Sequence, residues 1–128
     1  MTARILIVDD VPANTRLLEA KLSSEYYQVA SARDGFEAVR RARDWQPDLI
    51  LLDVMMPGVS GGELAARFHA NPKLKDVRIV FLTAAVTKGE VDAGDGWVGG
   101  AAFLAKPVVL ADLVACLKRQ LDAPVLHF

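Results

Sequence analysis

Five short apolar runs, each giving way to a stretch of helical period, constrain this chain more than any other feature. Ile5-Leu6-Ile7-Val8 is β-branched and ends at Asp9-Asp10. Pro12 follows, where a first helical turn tolerates proline. Leu17, Leu18, Ala20 and Leu22 give that helix an apolar side, which fades at Ser23-Ser24. A second strand is expected around Gln28 to Ala32. Asp34-Gly35 is a turn and cap signal, Phe36, Ala38, Val39 and Ala42 carry the second helix, and Gln46-Pro47 stops it.

Leu49-Ile50-Leu51-Leu52 is apolar without interruption, as a central strand covered on both faces must be. It ends at Asp53. In the loop from Met56 to Gly61, Ser60 is the expected N-cap of a third helix marked by Leu64, Ala65 and Phe68 and closed by Asn71-Pro72. Val77 to Leu82 reads as the fourth strand, ending at Thr83. Ala102 to Ala105 reads as the last strand, ending at Lys106-Pro107. Leu110, Leu113, Val114, Leu117 and Leu121 then recur at helical spacing. Strand–helix alternation of this kind implies an α/β fold, with a parallel sheet and helices on both faces. One stretch resists it. Gly89, Gly94, Gly96, Gly99 and Gly100 crowd the place of the fourth helix, and each interior glycine costs roughly 0.5–1 kcal/mol against alanine. A short helix or an irregular loop is expected near Lys88 to Val98.

A length of 128 residues fits one domain, and the expected division is a domain over 1–121 with a C-terminal tail over 122–128. The net charge of −1 argues against direct nucleic-acid binding, which shows as a basic excess on one face. No apolar run approaches the ~20 residues that a membrane helix needs. No signal peptide is expected before the first strand. The lone Cys116 excludes an internal disulfide. The cytoplasm is the default expectation.

Chemistry collects where the strands end. In an open parallel sheet the residues just past the strands share one edge, and ligands bind there. Here that edge receives Asp9 and Asp10 from the first strand, Asp53 from the third, Thr83 from the fourth and Lys106 from the fifth. Each alone has an ordinary reading as a cap, a strand end or a surface lysine. Five at successive strand ends point to a shared site. Three carboxylates at close range repel one another, and a hard divalent cation such as Mg²⁺ resolves the conflict. Lys106 adds a second positive charge and Thr83 a hydroxyl donor. Phosphoryl transfer needs this positioning and charge neutralisation, and a carboxylate can itself accept the group. Asp53, ending the central strand, is the best acceptor. The reading requires these groups to meet in one pocket, with Asp53 open to solvent.

The chain closely resembles the receiver domains of two-component response regulators. The resemblance rests on Ile5-Leu6-Ile7-Val8-Asp9-Asp10, Leu49 to Gly58 with Gly61, Phe81-Leu82-Thr83-Ala84 and Lys106-Pro107, and it spans nearly the whole chain. It implies a flavodoxin-like (βα)5 three-layer sandwich with five parallel strands in the order 2-1-3-4-5. It implies that Asp53 is phosphorylated, that Asp10 and Asp53 ligate Mg²⁺ directly and Asp9 through water, and that Met55 lends its backbone carbonyl. Lys106 would hold a phosphoryl oxygen, Thr83 would turn inward to it, and Phe103 would be the switch aromatic. Lys106-Pro107 is a cis-peptide candidate. The implied donor is a phosphohistidine on a sensor histidine kinase or a phosphotransfer protein. The implied output is a downstream protein or a further effector domain, and a phosphorylation-dependent dimer stays open. The small tail and the lack of a linker lean slightly toward a freestanding chain over the alternative, a receiver cut from a regulator of transcription or of a cyclase. Such a domain assists its own modification and turns over no external substrate. Met55 and Ala85, two positions beyond Asp53 and Thr83, cannot orient a hydrolytic water, so a long-lived phosphoryl group is expected.

Two other classes compete. An aspartate-nucleophile phosphatase would also use Mg²⁺, but Asp9-Asp10-Val11-Pro12 does not fit the Asp-x-Asp-x-Thr or Val pattern of those hydrolases. A nucleotide or flavin module would favour a glycine- or hydroxyl-rich loop after the first strand, where two carboxylates stand instead. The rest read as structural. Cys116 is expected buried. His69 and His127 are expected at the surface. Trp45 is expected to pack near the end of the second helix, and Arg40, Arg41 and Arg43 to form a solvated face. Trp97, among glycines, reads equally as a core plug or a partner anchor.

Overall fold

The computed structural model describes residues 3–54, 56, 58, 60–83, 97, 98 and 101–122. The elements run β1 (Arg4–Val8), α1 (Pro12–Ser23), β2 (Gln28–Ala32), α2 (Gly35–Trp45), β3 (Leu49–Asp53), α3 (Gly61–Ala70), β4 (Arg78–Thr83), β5 (Trp97–Val98), β6 (Ala101–Ala105) and α4 (Leu110–Asp122).

Local chemistry sets the boundaries. Asp34 caps α2 by accepting a hydrogen bond from the Glu37 amide, and Ser60 caps α3 by accepting from the Glu63 amide. Gln46 ends α2 in the left-handed region at φ 53°. Pro12 opens α1, whose N-cap Val11 makes no side-chain cap bond.

The strands form one sheet in the order β2-β1-β3-β4-β6-β5. Five are parallel, as the alternation demands, and every residue of β3 is buried. The period-two alternation of side chains splits the core into two layers. Ile5, Ile7, Leu49, Leu51 and Leu82 face α1 and α4 through Leu18, Leu22, Leu113 and Leu117. Leu6, Val8, Ile50 and Leu52 face α2 and α3 through Ala38, Ala42, Leu64 and Phe68. Cys116 is buried in the first layer. Trp45 packs against the second, with the Arg4 guanidinium 5.8 Å from its ring centroid.

The structure corrects the sequence reading at three points. A sixth strand, β5, pairs antiparallel with β6. It takes Trp97 and Val98, the end of the stretch expected as a short helix or irregular loop, and the rest of that stretch lies outside the described residues. Leu17 and Phe36, assigned to apolar helix faces, are 56% and 79% exposed. Leu17 lies in the second turn of α1 and Phe36 in the first turn of α2. Phe36 is covered only from outside, with the Arg40 guanidinium 6.0 Å from its ring centroid. Arg40, Arg41 and Arg43 are exposed, as is His69, whose Nε2 lies 3.0 Å from the Val77 carbonyl. Among the described residues no helix is long and apolar enough to cross a membrane.

Candidate phosphoacceptor and metal site

Backbone bonding carries each strand end to the same rim. The Asp9 amide donates to the Ala32 carbonyl, Val54 to Leu82 and Lys106 to Thr83, so pairing persists one residue past β1, β3 and β6. This extra rung holds the acidic and basic side chains at fixed heights. Asp9, Asp10 and Asp53 each present a carboxylate oxygen within 4.8 Å of the others, close enough for one cation. Asp9 is fully buried, Asp53 nearly so, and Asp10 is exposed.

Lys106 reaches into this cluster. Its Nζ lies 3.2 Å from Asp53 Oδ1 and 3.3 Å from Asp9 Oδ2. One ammonium thus offsets two buried carboxylates that would otherwise repel across a low-dielectric gap. Thr83 ends β4, one position beyond Leu82, the register partner of Asp53, and is buried. The Lys106–Pro107 peptide is cis. Phe103 is half-buried, and its ring stacks on Phe81 with centroids 5.1 Å apart and planes at 29°.

The rim therefore brings together Asp9, Asp10, Asp53 and Lys106, with Thr83 on the adjoining strand end. Met55 and Ala85 lie outside the described residues. Access is narrower than expected. The Asp53 side chain is only 4% exposed, against 24% for Lys106 beside it, so the carboxylate is nearly enclosed rather than open. A cavity of about 450 Å³ adjoins the site between α1 and the segment after β6, lined by Asp9, Asn14, Leu18, Lys21, Lys106 and Val108.

Asn14 was not legible as a site residue. Its Nδ2 donates to Asp9 Oδ2 at 3.3 Å, while the Val11 amide donates to Asp9 Oδ1 at 2.9 Å. An asparagine in the first turn of a helix after an acidic strand end was the available signal.

Residues 5–118 match the family model described as the response regulator receiver domain. The chain belongs to this family. Its receiver fold is shared at TM-score 0.80 with the chemotaxis protein CheY4 of Vibrio cholerae, at 29% identity over 94% of this chain and 99% of that one. The receiver domain of the sensor histidine kinase PA1611 of Pseudomonas aeruginosa, solved with a magnesium ion coordinated in its active-site cleft, matches at TM-score 0.79 and 31% identity, over 96% of this chain and all of that one. The response regulator PleD of Caulobacter vibrioides is 47% identical over 109 residues, 84% of this receiver chain. The match spans only 24% of PleD, about a quarter of its length. The polar-differentiation response regulator DivK of Brucella abortus is 30% identical over 122 residues, 94% of this chain and 98% of DivK. As a receiver domain of two-component signalling, the chain is a signalling module, and the phosphatase reading is not favoured.

Proposed function

We propose that Asp53 is the phosphoacceptor of this receiver domain and that a phosphohistidine on a sensor histidine kinase or phosphotransfer protein is its donor. One observation carries the reading: the carboxylates of Asp9, Asp10 and Asp53 gather within 4.8 Å, with Lys106 Nζ against two of them. A carboxylate oxygen of Asp53 attacks phosphorus, the new O–P bond forms as the N–P bond breaks, and the imidazole nitrogen keeps the electron pair.

The donor set is three carboxylates, a hard-oxygen set that fits Mg²⁺. Asp10 and Asp53 would hold it directly, Asp9 through water and Met55 by its carbonyl, and the ion would neutralise charge on the transferring group. Lys106 then binds a phosphoryl oxygen, and Thr83 turns its hydroxyl to another. Phe103 follows Thr83 inward and alters the surface that a partner reads. The receiver domain over 1–121, with the tail 122–128, works in the cytoplasm. It serves a downstream protein or an effector domain, and it turns over no external substrate.

The test is uptake from acetyl phosphate in the presence of Mg²⁺, followed by intact mass. Wild type is expected to gain one phosphoryl group, and Asp53→Asn or excess chelator to abolish the gain. Undiminished uptake by Asp53→Asn would remove Asp53 from the role.

A further inference from the structure

We infer that Asn14 is a positioning residue that holds Asp9 when phosphorylation draws Lys106 away. The inference rests on the phosphoacceptor reading. Asp9 is 0% exposed, so its oxygens are cut off from bulk water and need fixed hydrogen-bond donors. Oδ1 has the Val11 amide. Oδ2 has two donors, Asn14 Nδ2 and Lys106 Nζ, each at 3.3 Å.

These two donors differ in what else they serve. Lys106 Nζ also lies 3.2 Å from Asp53 Oδ1. Once Asp53 carries a phosphoryl group, its carboxyl charge is lost and a dianion stands beyond it. The ammonium follows the larger charge. Asp9 Oδ2 then keeps Asn14 as its side-chain donor. Asn14 stands in the first turn of α1, whose backbone is anchored by the bonds of Asn14 and Thr15 to the Val11 carbonyl. Its amide therefore stays in place while the strand-end groups rearrange.

The simpler reading makes Asn14 only a brace for the start of α1, since Val11 offers no side-chain cap. A brace acts alike in both states. The positioning role acts mainly in the phosphorylated one, and beryllium fluoride, a phosphoryl mimic, separates them. Its binding to the full chain in saturating Mg²⁺ is followed by ¹⁹F NMR and calorimetry, with thermal melts taken before addition. Asn14→Leu, similar in size but without a donor, is expected to weaken mimic binding by about 10-fold, the scale of one lost hydrogen bond to a charged group. Asn14→Gln, which keeps the amide, is expected to recover to within about 3-fold. Should Asn14→Leu unfold, Asn14→Asp must show at least the same loss. Mimic binding by Asn14→Leu within about twofold of wild type, with only the melt lowered, overturns the inference and leaves the brace. Failure of wild type to bind the mimic overturns the phosphoacceptor reading, and this inference with it.

Discussion

Lys106 Nζ sits 3.2 Å from Asp53 Oδ1, joining the end of the β6 segment to the end of the central strand β3 by a nearly enclosed ion pair. The same ammonium reaches Asp9. Removing one partner of a buried pair leaves charge uncompensated, at a cost of up to about 3–5 kcal/mol. Lys106→Met is therefore expected to lower the melting temperature without metal. Mg²⁺ then replaces the missing positive charge, so it should raise the melting temperature of Lys106→Met more than that of wild type. Scanning calorimetry with and without Mg²⁺ decides this, and equal shifts would count against a shared site.

Two adjacent glycines in α3 should respond oppositely to alanine. A Cβ on Gly61 would stand 3.3 Å from the Val54 Cα and 3.4 Å from the Phe81 ring, whereas a Cβ on Gly62 meets nothing within 4 Å. Gly62→Ala should stabilise by about 0.5–1 kcal/mol through helix propensity. Gly61→Ala should destabilise by roughly 1–2 kcal/mol, because the close neighbour is backbone and cannot move aside. Urea unfolding of both variants gives the comparison.

Helix capping offers a third check. Asp34→Ala and Ser60→Ala each remove an acceptor from a first-turn amide, at 2.8 Å and 3.1 Å. Each should cost about 1 kcal/mol in chemical denaturation. Phosphoryl uptake should be unaffected by Asp34→Ala, since Asp34 follows the edge strand β2, two strands away from β3 and Asp53.

Burial pushes the Cys116 thiol above its ordinary value, more strongly than the nearby Arg119 lowers it. The folded state therefore favours the neutral thiol. Its contribution to stability is complete below about pH 8.5, the unfolded value, and is lost as pH rises through the higher folded value. Tyr27 is raised in the same sense, also mainly by desolvation, but acts only from about pH 10. Unfolding free energies across pH 7.5 to 10 should fall less steeply in Cys116→Val than in wild type. Parallel curves would show that Cys116 contributes nothing.

Period and punctuation made most of the fold legible. The uninterrupted run Leu49 to Leu52 marked the central strand, Asp34 and Ser60 announced two helix starts, and Gln46-Pro47 a stop. Parallel strands then force Asp9, Asp53, Thr83 and Lys106 onto one rim. Leu17 and Phe36 are exposed although periodicity places them on apolar helix faces, because periodicity records which side of a helix is apolar, not whether the fold covers that position. β5 was missed because two residues carry no period at all.

The sequence by itself determined the succession of strands and helices, the acidic and basic groups at the strand ends and the family, since these follow from alternation and from local residue type. Only the tertiary structure decided that one lysine serves both Asp9 and Asp53, that Asp53 is nearly enclosed, and that Asn14 shares a carboxylate oxygen with Lys106. Those facts depend on distances between residues far apart in the chain. Such distances are fixed by sheet register and side-chain packing, which no local pattern encodes.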